Sequence, residues 1–291
     1  MATVVITGCS SGFGKAAALS FARNGDAVVA TVRNSERATS LRKTAEAEGL
    51  SLDIRTLELT SPDTFEDFVG NIINDHGSVD VLINNAGIIK PGACEDLTEP
   101  EIREVMETNF MAPMLLSRKV LPHMRRQGSG LIIMVSSLSG VAGLAGDVFY
   151  SASKFALEGA TEALRHEVDR WGIRVALLEA GQYATDLFKI DAISTTLFPT
   201  DYPEDSPYRA LVEKRLLAIN DSVTTAKDPQ EVADLMLTIA ASDGKQLRWQ
   251  TDEMAKSIVA RLFGQSDLER DEFLRSAADI DWWSRGEQKG E

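Results

Sequence analysis

Cysteine, histidine and long apolar runs are scarce in this sequence, and each scarcity excludes a class of protein. The two cysteines, Cys9 and Cys94, are too few for a disulfide scaffold and lack the spacing of metal ligands. The three histidines, His76, His123 and His166, are scattered, so the sequence predicts neither a metal site nor a histidine-based catalytic triad. No apolar run approaches the roughly 20 residues that a membrane-spanning helix needs.

Positive charge is also in deficit, with 30 basic against 44 acidic residues and a formal net charge of −14. Such a balance repels phosphate backbones and anionic lipid surfaces, so nucleic acid is not an expected partner. Solubility alone would account for the charge equally well. Residues 2–7 begin a strand pattern at once and do not resemble a signal peptide. We therefore expect a cytoplasmic protein without a membrane span.

Short β-branched runs alternate with longer helical patterns along the first 185 residues. The predicted strands lie at 2–7, 26–32, 52–58, 79–84, 130–136 and 173–179. The predicted helices lie at 13–24, 35–48, 62–75, 100–127 and 149–171. This alternation is typical of a doubly wound α/β fold, in which helices cover both faces of a parallel sheet, as in Rossmann-type domains.

The pattern changes after residue 185. Residues 186–225 contain two prolines, aromatic residues and helical patches but no clear strand, and we interpret them as a substrate loop. A helix at 229–241, a strand near 245–250 and a charged C-terminal extension at 252–291 follow, all within one domain, 1–291. We expect the substrate loop to be mobile without ligand and ordered over the substrate. A firmly packed pair of helices is the alternative.

A glycine-rich turn follows the first predicted strand and opens the first helix. It reads Thr7-Gly8-Cys9-Ser10-Ser11-Gly12-Phe13-Gly14. Glycines permit a tight turn close to a pyrophosphate, and the free N–H groups of a helix N-terminus attract anions. Because this turn lies between strand and helix, we predict that it binds a dinucleotide. A purely structural turn is the alternative.

The end of the second strand indicates which dinucleotide binds. An NAD site usually has an acidic residue there for the ribose 2′-hydroxyl, whereas this sequence has Ala30-Thr31-Val32-Arg33. The Arg33 guanidinium can pair with a 2′-phosphate, and the Ser11 hydroxyl can assist it. The missing acid therefore favours NADP(H), although a solvated loop arginine is common.

Tyr150 and Lys154 lie four residues apart on one face of a predicted helix. A phenol is a poor base at neutral pH, and a nearby ammonium would lower its pKa toward the working range. Ser137 ends a buried strand at the sheet edge where ligands bind, so its hydroxyl can hold a reacting carbonyl oxygen. A surface Tyr/Lys pair and a chain-capping serine are the alternatives.

Several motifs follow one another along the chain: the glycine turn, Asn84-Asn85-Ala86-Gly87, Asn109, Ser137, Tyr150 and Lys154. In this order they resemble the classical short-chain dehydrogenase/reductase family over residues 2–185. The resemblance implies that Asn109 holds a water for proton relay and that Ser137 orients the substrate oxygen. It also implies that Tyr150 is the acid/base and that Lys154 lowers its pKa and binds the nicotinamide ribose.

The run Tyr-Ser-Ala-Ser-Lys-Phe-Ala-Leu-Glu-Gly at 150–159 and the run at 247–251 resemble the 17β-hydroxysteroid/retinol dehydrogenase-like branch. Three departures concern the cofactor: Ala180 replaces a proline, Tyr183 replaces a small aliphatic residue, and Glu58 replaces the aspartate beside the adenine. The cofactor contacts expected in all are Gly8, Ser10, Ser11, Gly12, Phe13, Gly14, Arg33, Glu58, Leu59, Asn85, Ala86, Gly87, Tyr150, Lys154, Gly181, Tyr183 and Thr185.

The resemblance implies an NADP(H)-dependent oxidoreductase that interconverts a secondary alcohol and a ketone. The apolar side chains of the substrate loop favour a hydrophobic, steroid-like or otherwise bulky small-molecule substrate. Two other classes stay open: a non-catalytic NADP-sensing regulator, and an isomerase or dehydratase that uses the cofactor transiently. A homodimer and a homotetramer are both compatible with the sequence.

Overall fold

The computed structural model describes residues 1–181, 183, 202–224 and 227–287. Seven parallel strands form one sheet in the order β3-β2-β1-β4-β5-β6-β7. The strands are β1 (Thr3–Ile6), β2 (Ala27–Val32), β3 (Asp53–Thr56), β4 (Val81–Asn84), β5 (Gly130–Ser137), β6 (Ile173–Ala180) and β7 (Arg248–Gln250). The strand order reverses at β1, which pairs with both β2 and β4, and such a reversal opens a ligand crevice at the carboxyl ends of the strands.

Helices cover both faces of this sheet. They are α1 (Gly12–Arg23), α2 (Thr39–Ala47), α3 (Phe65–His76), α4 (Glu99–Met106), α5 (Ala112–Gln127), α6 (Val148–Val168), α7 (Arg209–Thr224), α8 (Pro229–Ala241), α9 (Glu253–Gly264), α10 (Asp267–Ala278) and α11 (Asp281–Ser284). Side chains alternate along each strand, so Val4 and Ile6 of β1 pack with α1 and α8 while Val5 packs with α3 and α5. The doubly wound fold predicted from the sequence is confirmed.

The central strands are near-continuous apolar runs, as expected for a parallel sheet that is covered on both sides. In β5, residues 131–135 are all buried. The register pairs Ser136 with Glu179 and Ser137 with Ala180, so the carboxyl ends of β5 and β6 lie side by side. This pairing places the predicted catalytic serine beside Ala180, which directly precedes the predicted cofactor contact Gly181.

The continuous helix predicted at 100–127 is wrong in its middle. The structure has α4, then a π-helical turn at Glu107–Met111, then α5. Hydrophobic periodicity did not reveal this turn, because a single five-residue stretch is too short for its pattern to distinguish i→i+5 from i→i+4 hydrogen bonding. Asn109 lies in this turn and is fully buried.

The C-terminal extension covers the turn that follows Ser137. Val141 and Ala142 pack against Val259 and Leu262 of α9, and the Arg270 guanidinium of α10 donates to the Val141 carbonyl. No helix in the described part of the chain is long and apolar enough to cross a bilayer. Of the predicted substrate loop, the structure describes 202–224, whereas 186–201 and 225 lie outside the described residues.

Candidate active site

An open cleft of about 500 Å³ lies at the carboxyl edge of the sheet. Its wall combines the glycine turn, the ends of β2, β4, β5 and β6, and the first two turns of α6. The predicted site residues on this wall are Gly8, Ser10, Ser11, Gly12, Phe13, Arg33, Glu58, Leu59, Asn85, Ala86, Gly87, Ser137, Tyr150, Lys154 and Gly181. The fold therefore brings most of the predicted site into one crevice.

The glycine turn is joined to the end of β4 by hydrogen bonds. The hydroxyl of Thr7 accepts from the backbone N–H groups of Asn85 and Ala86, at 3.0 Å each. The Asn85 amide donates to the Thr7 carbonyl at 2.8 Å. Gly8 has φ 74° and Gly12 has φ 54°, a left-handed backbone that side chains disfavour. The glycines are thus required by the shape of the turn.

The N-terminus of α1 faces the cleft. Its N-cap, Ser11, is extended and makes no side-chain capping hydrogen bond, so the hydroxyl is free to serve a ligand. The first N–H groups of the helix carry a partial positive charge. This arrangement fits the pyrophosphate of a dinucleotide.

Two arginines line the opposite end of the cleft from Tyr150. Arg33 ends β2, and Arg37 lies in a short 3₁₀ turn, Ser35–Ala38. The Arg33 Nε lies 3.8 Å from Glu58 Oε2. Burial alone would raise the pKa of Glu58, but hydrogen bonds from Thr60 and the charge of Arg33 outweigh it and hold the pKa below its ordinary value. Glu58 is therefore ionised and places a negative charge near Arg33.

Asn109 uses its whole side chain to hold neighbouring elements. Its Oδ1 accepts from the N–H of Ile88 at 2.8 Å, and its Nδ2 donates to the Ile88 carbonyl at 2.9 Å. Nδ2 also donates to Ser153 Oγ at 3.1 Å. A Cβ on Gly87 would lie 3.3 Å from Asn109 Oδ1 and 3.7 Å from Lys154 Nζ. Asn109 thus lies just behind the cleft wall, and its role toward a water stays a prediction.

Tyr150 and Ser137 both line the cleft. Burial raises the pKa of Tyr150 to about 12, and the Ser137 hydroxyl only partly opposes this. The shift is opposite to the lowering that we expected from the sequence. The physical reason is burial of the phenol, which the Lys154 ammonium does not offset: it lies 5.8 Å from the centre of the Tyr150 ring and donates to the Val135 carbonyl at 2.9 Å.

Lys154 is buried between α6 and the end of β5. Burial lowers its pKa to about 8, while the charge of Glu158 acts in the opposite direction. The ammonium therefore remains largely protonated at neutral pH. One of its three donor positions is used by Val135, which leaves others for a ligand in the cleft.

Three predicted cofactor contacts do not lie on the described cleft wall. Gly14 lies beneath the glycine turn rather than on the cleft wall. Tyr183 is buried behind Phe13, with ring centres 5.4 Å apart, and its hydroxyl donates to the Thr251 carbonyl at 3.2 Å. Thr185 lies outside the described residues. Direct contact of these residues with a cofactor stays a prediction.

The sequence interpretation missed several residues of the cleft wall. Arg37 is the most important, because it adds a second cation at the adenosine end. Its signal was a basic residue one turn after Arg33. Thr31, Ile88 and Val135 also line the cleft through backbone or apolar atoms, for which sequence carries no specific signal.

Known proteins share both the sequence pattern and the fold. Residues 2–192 match the family described as short chain dehydrogenase. An uncharacterized oxidoreductase, YusZ, of Bacillus subtilis is 37% identical over 248 residues, which cover 84% of this chain and 87% of that protein. Retinol dehydrogenase 8 of Bos taurus is 33% identical over 267 residues, which cover 89% and 84% of the two chains.

A crystal structure of a short-chain dehydrogenase from Streptomyces avermitilis has the same overall arrangement. The TM-score is 0.75 at 29% identity, over 99% of this chain and 98% of that one. The family match, the relatives and the fold are all consistent with a cleft that contains the glycine turn and the helix α6, which carries Tyr150 and Lys154. The chain belongs to the short-chain dehydrogenase/reductase family, whose members are oxidoreductases that bind nicotinamide cofactors, and it is related to the retinol dehydrogenases.

Proposed function

We propose that this protein is an NADP(H)-dependent oxidoreductase that reduces a bulky, hydrophobic ketone to a secondary alcohol and catalyses the reverse reaction. The observation that carries the proposal is that Ser137, Tyr150 and Lys154 line the same cleft as the glycine turn. A hydroxyl, a phenol and an ammonium that lie together can transfer a proton to an oxygen atom. In this reaction the protein provides the proton transfer, whereas the cofactor provides the hydride.

The cofactor preference rests on charge at the adenosine end. Arg33 and Arg37 supply two guanidinium groups there, and β2 ends without an acidic residue that would repel a 2′-phosphate. Glu58 faces Arg33 at 3.8 Å, which leaves guanidinium N–H groups for a further anion. These contacts favour NADP(H) over NAD(H).

Bound NADPH would supply the hydride at the substrate carbon. Ser137 lies at the end of β5, where its hydroxyl can hydrogen-bond the substrate oxygen. Because the pKa of Tyr150 is about 12, the phenol carries its proton at neutral pH. It can donate this proton to the oxygen as negative charge develops there. Lys154 lies next in the cleft and can bind a ribose hydroxyl while remaining protonated.

The described part of the predicted substrate loop packs through apolar side chains on the segment that follows cleft residues 88–90. Tyr202, Val212 and Leu216 form a buried cluster with Ala93. The retinol dehydrogenase relative also carries the name of a bulky apolar alcohol. We therefore propose a steroid-like or similarly large apolar carbonyl compound, bound between this segment and the cleft, in a single-domain protein of the cytoplasm.

Purified protein tests this function directly. NADPH or NADH would be mixed with a panel of steroid ketones, retinal and short aliphatic ketones, and the absorbance at 340 nm followed. We expect NADPH oxidation with one or more of the bulky carbonyls. Tight NADPH binding without turnover of any carbonyl, in wild type and Tyr150→Phe alike, would instead support a cofactor-sensing regulator.

A further inference from the structure

A buried ion pair joins helix α7 to the start of the catalytic helix α6. The Nε of Arg215 on α7 donates to Oδ2 of Asp147 at 2.6 Å, and its terminal guanidinium nitrogen contacts the same oxygen. The Asp147 side chain is 0% exposed and that of Arg215 is 21% exposed. Asp147 precedes Tyr150 by three residues, so the pair lies one helical turn from the phenol.

The same pair fixes the turn from which α6 begins. The Ser151 N–H donates to the Asp147 carbonyl at 2.8 Å, in the first turn of the helix. The Gly92 N–H donates to the Gly146 carbonyl at 2.8 Å. A Cβ on Gly146 would lie 3.2 Å from both Cβ and Cγ of Arg215, so α7 packs directly on this turn. Removing Arg215 would therefore free the backbone that carries Tyr150.

Burying these two charges is unfavourable for stability if the pair only holds the structure together. Burial raises the pKa of Asp147, which shows that the carboxylate is held in a poorly solvated place, and its Oδ1 has no hydrogen-bond partner among the described residues. Apolar side chains of similar volume usually stabilise a protein as well as a buried ion pair does. Packing alone therefore does not explain why these two residues are charged.

Both charges of the ion pair affect the pKa of Tyr150. After burial and the Ser137 hydroxyl, the next influences on the pKa of Tyr150 are Asp147, which raises it, and Arg215, which lowers it. The charged groups that face the phenol are Asp147 and Lys154 from α6 and Arg215 from α7. The two members of the ion pair thus act on Tyr150 with opposite sign.

We propose that Arg215 is a positioning residue for Tyr150: through Asp147 it holds the first turn of α6 in place and balances a carboxylate charge beside the phenol. This rests on the proposed role of Tyr150 in proton transfer. Because Arg215 lies on α7, in the segment that we assign to the substrate, any shift of α7 alters the electrostatic setting of the catalytic phenol.

The ionisation of Tyr150 can be measured directly by NMR, without relying on turnover. The chain has four tyrosines, so labelling the tyrosine Cζ with ¹³C gives four NMR signals, and Tyr150→Phe identifies the one required. The titration of this signal would be compared in wild type, Asp147→Asn, Arg215→Met, the double variant and Arg215→Lys. Lys214→Met is the matched control, since it removes a neighbouring cation of α7 that pairs with Asp279 instead.

We expect the midpoint of the Tyr150 titration to move in opposite directions in the two single variants, upward in Arg215→Met and downward in Asp147→Asn, because each removes a nearby charge of opposite sign. The double variant should return near wild type, Arg215→Lys should stay near it, and Lys214→Met should leave it unchanged. Shifts of both single variants in one direction, or thermal destabilisation without any shift, would overturn the proposal. If the NMR shifts appear but the pH profile of turnover does not follow them, the ion pair acts as proposed and the assignment of Tyr150 as acid/base is the part that fails.

Discussion

Gly14 lies directly beneath Gly8, so closely that a Cβ on Gly14 would clash with the Gly8 carbonyl and lie 2.5 Å from the Asn85 Nδ2. Both of these groups are rigid: Gly8 is in the turn itself, and Asn85 is hydrogen-bonded to the carbonyls of Thr7 and Gly8. The absence of a side chain at Gly14 therefore allows helix α1 to begin against the glycine turn.

We expect Gly14→Ala to weaken NADPH binding about tenfold or more and to lower the thermal midpoint. The added methyl group forces the turn outward, and overpacking of this kind costs about 1–3 kcal/mol. Binding can be followed by NADPH fluorescence and stability by thermal unfolding. Gly70→Ala is the matched control, because a Cβ on Gly70 in α3 meets nothing within 4 Å. Equal affinities of the two variants for NADPH would show that the turn tolerates the displacement.

Arg33→Ala and Arg37→Ala should each raise the KM for NADPH by about 10- to 100-fold and leave the KM for NADH nearly unchanged. Each removes a charged hydrogen bond to the 2′-phosphate, which contributes about 1.5–3 kcal/mol. Steady-state kinetics with both cofactors measures this, with Arg42→Ala on the exposed side of α2 as control. A wild type with equal kcat/KM for NADPH and NADH would contradict the proposed preference.

Tyr150→Phe should abolish turnover while NADPH binds with nearly unchanged affinity. The substitution removes one hydroxyl, whereas the contacts expected for the phosphates and the adenine lie at the glycine turn and at Arg33. Stopped-flow turnover and a fluorescence titration of NADPH separate the two effects. Retention of a tenth or more of the wild-type kcat would mean that another group transfers the proton.

The sequence contained enough information for the fold and for most of the cleft. Strand–helix alternation is a strong signal, and the glycine turn, Ser137 and Tyr150 occupy fixed places relative to the strand ends. The π-helical turn around Asn109 and the direction of the Tyr150 pKa shift could not be predicted. The first depends on which carbonyl each N–H selects, and the second on burial and on where the Lys154 ammonium lies.

Long-range pairs were equally inaccessible to sequence reasoning. Arg215 and Asp147 are 68 positions apart, and nothing in the spacing of either residue indicates that they meet. Glu158 is another such case. It appears in the sequence as one more carboxylate of an amphipathic helix, yet it is buried beside Glu179 and Arg248 behind the active site.

This burial gives Glu158 a testable effect on stability. Burial, and to a smaller extent the charge of Glu179, raise the pKa of Glu158 from 4.5 to about 7, although the nearby Ser136 hydroxyl and the hydrogen bond and charge of Arg248 oppose the shift. Between these two pH values the folded chain holds a proton that the unfolded chain has released. Because the folded state then binds more protons, its stability falls as the pH rises from about 5 to about 7 and levels off above that range.

Glu158→Gln has no titratable group at this position, so it does not undergo the loss of stability that the wild type undergoes. The gap, defined as the thermal midpoint of Glu158→Gln minus that of the wild type, should therefore increase as the pH rises from 5 to 7 and stay constant from about pH 8. Differential scanning fluorimetry of both proteins at closely spaced pH values measures the gap, and groups that titrate alike in both chains cancel. Glu162→Gln is the control, since Glu162 lies one turn further along α6 with half of its side chain exposed, pairs with the same Arg248 and has a lowered pKa. Its gap to wild type should not widen over the same pH range. A Glu158→Gln gap that is flat from pH 5 to 8 would mean that Glu158 is already ionised at pH 5 and that Arg248 outweighs burial.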